Sequence, residues 1–307
     1  MRIVFFGTPD FAVPSLEALL AERAQVVGVV TQPDKPKGRS RSALIPPRIK
    51  QVADRHGLPV LQPERPTGDV FLAALRHWRP ELGVVVAYGH VLRADVLSLP
   101  SRGMLNVHAS LLPHLRGAAP INWAILQGDA ETGISVMQME ADLDSGPVLR
   151  RAPTRIGAQE TAGELRARLA SLGAETLIET LALLRLGQLT AEPQDPALAT
   201  YAPKIDRRVT KLDWNETAAS VARRVRAFDP APGAWASFAG SEVKLFGVTV
   251  SEGEGQPGEV LPGADPLRVA TGRGVVEIQE VLPAGGRRMA AQAWMRGRGP
   301  RPGQLLA

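Results

Sequence analysis

Two short polar runs hold the side chains best suited to chemistry in this chain. Asn106 and His108 lie in N-V-H-A-S-L-L-P, and Asp144 lies in E-A-D-L-D-S-G-P. Because side chains alternate along a strand, Asn106 and His108 are predicted to share one face while Val107 points into the sheet. An amide that donates to an oxyanion, an imidazole that moves a proton and a carboxylate that orients the imidazole are what carbonyl transfer needs.

Other kinds of site compete for these residues. A metal ion is one alternative, although the spacing of the candidate ligands matches no compact metal motif. Those candidate ligands are His108, His114, Asp142 and Asp144. The run G-T-P-D after the first predicted strand is neither G-x-G-x-x-G nor a P-loop, so it is more typical of a tight turn and disfavours a dehydrogenase. The chain has no cysteine, which excludes disulfides and thiolate catalysis.

Alternating strand and helix patterns in the first half predict a parallel α/β sheet, with His108 at the carboxyl end of a buried strand, where such sheets bind ligands. The predicted strands span 2–6, 25–31, 59–61, 82–87, 103–108, 134–139 and 148–152. The predicted helices span 11–24, 49–56, 69–78, 121–127 and 161–186, with a candidate break near Gly173. Residues 32–44 are predicted to form a loop.

The second half has a different composition. Residues 187–202, rich in Gln, Pro, Asp and Ala, predict a linker. A helix near 218–228 is followed by short apolar runs separated by Gly and Pro, which predict a small β-barrel. Its predicted strands span 234–238, 243–250, 258–261, 267–270 and 275–282. The expected domains are residues 1–189, a linker at 190–208, and a C-terminal domain at 209–307.

The net charge of +5 is compatible with an anionic partner. Six basic residues occupy the window 35–50 without an acid: Lys35, Lys37, Arg39, Arg41, Arg48 and Lys50. A second basic cluster begins at the linker with Lys204, Arg207 and Arg208. Such a loop can be merely solvated, but phosphate contacts favour nucleic acid. No apolar run approaches the roughly 18 residues of a membrane span, so a cytoplasmic protein without membrane contact is expected.

Longer motifs resemble those of the folate-dependent formyltransferases, and of the methionyl-tRNA formyltransferases in particular. They are G-T-P-D-F-A, T-Q-P-D, V-V-A-Y-G, N-V-H-A-S-L-L-P, R-G-A-A-P-I, G-D-A-E-T-G and D-L-D-S-G-P. The Asn–His–Asp set and S-L-L-P indicate only the reaction. R-G-A-A-P-I, the basic insertion and the basic C-terminal half indicate the tRNA enzymes. Ala109 stands where relatives often have Gly, and we expect this small residue to preserve function.

The resemblance implies formyl transfer from 10-formyltetrahydrofolate to the α-amino group of methionine on initiator tRNA, with no metal required. It implies a Rossmann-like N-terminal domain and a smaller OB-like C-terminal barrel, and two domains serving one long substrate suit a monomer. The implied catalytic residues are Asn106, His108 and Asp144. The implied folate contacts are Ser110, Leu111, Leu112, Pro113, Tyr88, Gly89 and Asp142. The expected tRNA contacts are Lys35, Lys37, Arg39, Arg41, Lys204, Arg207 and Arg208.

Two alternative functions remain at this stage. A formyltransferase for an amino sugar or another small amine would share the catalytic set but would not need the basic loop. A catalytically silent tRNA-binding protein would need the basic residues but not an intact Asn–His–Asp set.

Overall fold

The computed structural model describes residues 1–37, 43–263 and 266–307. Its strands are β1 Arg2–Gly7, β2 Gln25–Val30, β3 Lys35–Lys37, β4 Ala43–Ile45, β5 Val60–Leu61, β6 Leu82–Val86, β7 Met104–His108, β8 Glu131–Gln138, β9 Val148–Arg155, β10 Ala234–Phe238, β11 Ser241–Ser251, β12 Leu267–Ala270, β13 Val275–Pro283 and β14 Met289–Ala290. Its α-helices are α1 Val13–Ala21, α2 Arg48–Arg55, α3 Asp69–His77, α4 Ala94–Leu97, α5 Pro120–Gln127, α6 Ala162–Leu186, α7 Ala218–Ala227 and α8 Ala291–Arg296. Short 3-10 helices span Asp10–Ala12 and Pro196–Leu198.

The chain forms two compact units. The first comprises Met1–Gly117, Thr132–Thr154 and Arg166–Tyr201, and the second comprises Ala118–Glu131, Arg155–Leu165 and Ala202–Ala307. In the described residues, no helix is both long and apolar enough to cross a membrane.

The first unit is built on a seven-stranded sheet in the order β5-β2-β1-β6-β7-β8-β9. The pairs from β5 to β7 are parallel, whereas β7 and β8 run antiparallel. The sheet is therefore mainly parallel, as the sequence predicted, but it includes an antiparallel pair that the sequence did not reveal. Ile3 to Phe6 on β1 are fully buried, as expected for a central strand covered on both faces.

Helix α6 is continuous, so the break expected near Gly173 is wrong. A Cβ at this position would lie only 3.1 Å from Val107 Cγ1 and 3.5 Å from Ile134 Cδ1. Glycine lets the helix pack closely on the sheet here, and that gain in packing offsets its low helix propensity.

The first predicted helix is also shorter than expected. It begins with a 3-10 turn, and α1 ends at Ala21 rather than continuing to residue 24. Arg23 adopts a left-handed conformation with φ of 53°. The main-chain N–H groups of Arg23 and Ala24 donate to Leu20 and Leu19, which closes the helix in the manner of a left-handed C-cap.

The predicted loop over residues 32–44 contains paired strands. β3 and β4 run antiparallel, with Lys35 opposite Ile45 and Lys37 opposite Ala43. The two strands form the base of a hairpin, because main-chain groups of β3 and β4 hydrogen-bond to each other.

The second unit contains an antiparallel sheet in the order β10-β11-β13-β12, with β14 paired to β13. Val221, Ala222 and Val225 form the buried face of α7, as their helical spacing predicts. The expected strand 258–261 is wrong: Glu259 and Val260 make only isolated bridges, to Leu305 and Val269. Gly258, with φ of 87°, departs from extended backbone at the start of this segment.

Candidate active site

Asn106, His108 and Asp144 converge at the carboxyl end of β7. Asn106 Nδ2 donates to Asp144 Oδ1 at 3.3 Å, and His108 Nδ1 lies 3.6 Å from Asp144 Oδ2. The side chains of His108 and Asp144 are only 6% and 11% exposed. One carboxylate therefore contacts both the amide and the imidazole in a site with little solvent, where charge interactions are strong.

Strand alternation explains why the side chains of Asn106 and His108 lie on the same face. Asn106 and His108 lie opposite Met137 and Ser135 of β8. Val107 is buried on the other face, against α6 at Gly173. A shift of one residue in register would exchange these faces, so the packing of Val107 fixes the direction of its polar neighbours.

Both ring nitrogens of His108 face oxygen atoms. Nε2 lies 2.9 Å from the carbonyl oxygen of Leu115, and a carbonyl can only accept, so Nε2 carries a hydrogen. Nδ1, on the side of Asp144, is then the ring atom that can hold or release a proton. With a hydrogen on Nδ1 as well, the ring would place a donor toward each oxygen.

The loop between β8 and β9 presents Asp144 in an unusual backbone conformation. Asp144 has φ of 49°, a left-handed value that Asp and Asn tolerate better than other non-glycine residues. Its Oδ2 also accepts from the main-chain N–H of Gly117 at 2.9 Å. A Cβ on Gly146 would lie 1.9 Å from the Gln138 carbonyl oxygen, so the return of the loop to the sheet requires glycine.

The site is supported by two further residues, which the sequence analysis did not identify as functional. Gln194 donates to the carbonyl oxygens of Asp144 and Gly146 at 2.9 and 2.7 Å. Its own Oε1 accepts from the buried Arg116. Gln194 was expected to lie in a linker, and no local motif marks it. Arg116 does stand in R-G-A-A-P-I, so a weak signal was present for that residue.

Only two of the four residues of S-L-L-P keep surface that is accessible to a ligand. Ser110 is buried and its Oγ donates to His114 O at 2.5 Å. Leu112 is buried against Met137 and Val148. Leu111 and Pro113 are half-buried, so they are the members with surface to offer a ligand. Asp142 is exposed, and its carbonyl oxygen accepts from Ser145 Oγ at 3.1 Å.

The turn after β6 presents main chain rather than the tyrosine ring. Tyr88 is 1% exposed and packs edge-on against Phe6, with ring centroids 5.4 Å apart. Its carbonyl oxygen accepts from Thr8 Oγ1 at 2.9 Å and Gln32 Nε2 at 3.1 Å. Gly89 is exposed and has φ of 85°. A ligand at this turn would meet the backbone and Gly89.

Replacing Tyr88 with phenylalanine is expected to leave stability unchanged or raise it by about 1 kcal/mol, because a buried polar group without a partner is costly. The hydroxyl has no hydrogen-bond partner among the described residues, and burial raises the pKa of Tyr88 to about 12. Thermal unfolding measures the stability, and titration with the folate that the motif resemblance implies checks the site. A large loss of folate affinity would contradict a purely internal role for the hydroxyl.

No acidic residue occurs within the basic window in sequence, but in the folded structure acidic residues from outside the window pair with some of its members. Lys50 pairs with Asp34 at 2.9 Å, and Arg48 pairs with Asp10 at 2.9 Å. Lys35 Nζ donates to Gln32 Oε1 at 2.7 Å. Arg39 and Arg41 lie outside the described residues, as does the side chain of Lys37.

The second basic cluster is also partly engaged. Lys204 is exposed. Arg207 pairs with Glu242 at 2.5 Å and stacks over the Trp235 ring at 4.4 Å, a cation–π contact. Arg208 pairs with Asp206 at 3.3 Å while its side chain stays 93% exposed. The described residues contain no group of three or more His, Asp or Glu placed to hold a metal ion.

Comparison with known proteins identifies the family of the chain. The Formyl transferase family model matches residues 1–181, and the model of the Formyl transferase C-terminal domain matches residues 204–299. The methionyl-tRNA formyltransferase of Geobacter metallireducens is 44% identical over 307 residues, which is 100% of this chain and 98% of that protein.

Two solved structures have the same fold at low identity. HypX from Aquifex aeolicus in complex with tetrahydrofolic acid has a TM-score of 0.69 and 21% identity; the match covers 95% of this chain and 46% of HypX, so the chain spans about half of that protein. WlaRD, a sugar 3N-formyl transferase, has a TM-score of 0.69 and 15% identity over 94% of this chain and 99% of its own. Two family models match the two halves of the chain, and the identity to a relative extends over its full length. Both findings confirm the resemblance drawn from the motifs: the chain belongs to the methionyl-tRNA formyltransferase family.

Proposed function

We propose that the chain transfers the formyl group of 10-formyltetrahydrofolate to the α-amino group of methionine on initiator tRNA, for translation initiation. The observation that carries the proposal is the contact of one carboxylate with both Asn106 and His108, in a chain 44% identical over its length to a methionyl-tRNA formyltransferase. The formyl donor is a substrate of this reaction.

The chemistry begins with a neutral amine. A free α-amino group has a pKa of about 8, so a useful fraction is unprotonated near neutral pH. Its attack on the formyl carbon places negative charge on the formyl oxygen. The N–H of Asn106 that does not face Asp144 is available to donate to that oxygen. Once His108 Nδ1 has taken the proton of the attacking amine, the charged ring stabilises the same oxygen electrostatically.

The proton of the attacking amine must reach the departing folate nitrogen. His108 Nδ1 is suited to this relay because Nε2 is held by the Leu115 carbonyl oxygen. Asp144 keeps the ring oriented and stabilises the positive charge that the ring carries during the relay. The new amide bond forms as the bond from the formyl carbon to the folate nitrogen breaks, and the proton ends on that nitrogen.

The folate is proposed to lie along the surfaces that remain accessible beside the catalytic set. Leu111 and Pro113 offer apolar area, and the Tyr88–Gly89 turn and the main chain near Asp142 offer polar backbone groups. Ser110 and Leu112 would act by shaping the loop, since both are buried. Most small-molecule sites combine apolar walls with a few polar backbone groups in this way.

The tRNA is proposed to contact the basic window and the cluster Lys204, Arg207 and Arg208. Phosphate contacts of this kind supply affinity that depends on salt but not on sequence. We further propose an OB-like barrel for the antiparallel sheet, domain limits at 1–189, 190–208 and 209–307, a monomeric state and a cytoplasmic location.

Changing Lys37, Arg39 and Arg41 to glutamine is expected to weaken tRNA binding and to reduce its salt slope by about one unit for each phosphate that these side chains neutralise. Folate binding should not change. Filter binding across a salt series measures the slope. The control variant changes the exposed Arg65, Arg76 and Arg102, which lie outside the window. Unaltered tRNA affinity at low salt would exclude this loop from recognition.

The substrate is tested by giving purified protein 10-formyltetrahydrofolate together with one of three amines. These are methionyl initiator tRNA, methionyl elongator tRNA and a nucleotide-linked amino sugar. We expect rapid formylation of the initiator tRNA alone. Formylation of only the sugar would refute the proposed substrate, and no formylation of any amine would support a silent tRNA-binding protein.

A further inference from the structure

Three consecutive residues hold the catalytic set from one side. The Leu115 carbonyl oxygen accepts from His108 Nε2 at 2.9 Å, and the Gly117 N–H donates to Asp144 Oδ2 at 2.9 Å. Arg116 lies between them and is 6% exposed. Its Nε and Nη2 donate to Gln194 Oε1 at 3.1 and 2.8 Å.

Gln194 uses both ends of its carboxamide. Its Nε2 group donates to the carbonyl oxygens of Asp144 and Gly146, and its Oε1 accepts twice from Arg116. Two N–H hydrogens and two lone pairs are the full hydrogen-bonding capacity of an amide. Arg116 also decides which way the amide faces, because a guanidinium can only donate. The N–H side must therefore point at the Asp144 loop.

The hydrogen bonds from Gln194 Nε2 are made to the main chain at and next to Asp144, whose backbone conformation is unfavourable. Asp144 has φ of 49°, and a non-glycine residue in that region persists only when its surroundings hold it there. Gln194 binds the carbonyl oxygen of Asp144 itself and that of Gly146, on either side of Ser145. We propose that Gln194 is a positioning residue that holds the Asp144 main chain so that its carboxylate reaches Asn106 and His108. This inference rests on the proposed formyl transfer.

The chain around Gln194 is anchored independently of its carboxamide. Glu192 exchanges two main-chain hydrogen bonds with Val148, at 2.8 and 2.9 Å. Thr200 accepts from the main-chain N–H groups of Leu115, through Oγ1, and of Arg116, through its carbonyl, each at 2.9 Å. A change confined to the carboxamide should therefore leave the segment in place.

Gln194→Glu is the sharpest variant because it keeps size and shape. The new carboxylate still accepts from Arg116, but it turns an oxygen toward the carbonyls of Asp144 and Gly146. We expect the Asp144 loop to move while the protein stays folded. A displacement of about 1 Å costs on the order of 100-fold, so kcat should fall about 10- to 100-fold. The KM for the formyl donor should change little.

A double-mutant cycle separates positioning from general structural support. If Gln194 acts through Asp144, then Gln194→Glu should lower single-turnover rates in the wild-type background but change them less than about twofold in an Asp144→Asn background. Gln188→Glu, an exposed position in the same segment, is the matched control. Wild-type kcat in Gln194→Glu would overturn the proposal. Equal losses in both backgrounds would overturn it as well.

If Gln194→Glu fails to unfold cooperatively, Gln194→Met replaces it in the same cycle, since methionine fills a similar volume without polar groups. Failure of both variants to fold would make Gln194 a folding residue and also overturn the proposal. A wild-type protein that formylates only the amino sugar refutes the proposed substrate instead. The same cycle, run on that sugar, then tests Gln194 separately.

Discussion

Asp144→Asn is expected to lower turnover by about 1,000- to 10,000-fold, the loss seen when a carboxylate that orients a catalytic histidine becomes an amide. Asparagine keeps the shape and tolerates the left-handed backbone, with φ of 49° in the native residue. The substitution removes the negative charge and replaces one acceptor oxygen of the carboxylate with an NH2 donor. The new NH2 group must face the N–H of Gly117 or the Nδ2 of Asn106, and both are donors.

The measurement is single-turnover formylation over a range of pH. The substitution removes the negative charge that lies 3.6 Å from His108 Nδ1, so the pH–rate profile should change together with the rate. Asp54→Asn, the same substitution at an exposed position on α2, is the control for the chemical change. A lower rate with an unaltered profile would mean that Asp144 does not act through His108.

Asn106→Ala is expected to cost about 100- to 1,000-fold in kcat, the effect of deleting one oxyanion donor. Asn106 is half-buried, and its removal also leaves Asp144 Oδ1 without the amide donor that lies 3.3 Å away in the native protein. Because the oxyanion exists only in the transition state, the KM for the formyl donor should change far less than kcat.

Steady-state kinetics separates these two parameters, and folate titration confirms that the ground-state site is intact. Asn215→Ala removes an exposed asparagine from the second unit and serves as the control. Near-normal turnover in Asn106→Ala would remove this amide from the mechanism.

Local sequence patterns predicted the regular elements near the site well. Continuous apolar runs predicted the buried strands β1 and β6, and helical spacing predicted the buried face of α7. Errors arose where tertiary packing overrode local preference. Gly173 suggested a broken helix by its propensity, but its missing Cβ lets α6 pack close to Val107.

The sequence also could not predict which basic residues form ion pairs. Six basic residues without an acid in the window 35–50 suggested a cationic loop that contacts nucleic-acid phosphates. Asp34 and Asp10 lie outside the window but pair with Lys50 and Arg48. Sequence distance cannot reveal such pairing, because ion pairs form between residues that folding brings together.

The sequence by itself determined the family and its reaction class, and it predicted Asn106, His108 and Asp144 as the catalytic residues. Alternation along β7 was enough to place Asn106 and His108 on one face, and the motifs were enough to identify the family. Only the tertiary structure decided how Asp144 is held: by the N–H of Gly117 and by Gln194 from a segment expected to be a linker. The physical reason is that strand geometry is periodic and local, whereas a left-handed loop residue depends on hydrogen bonds from distant parts of the chain.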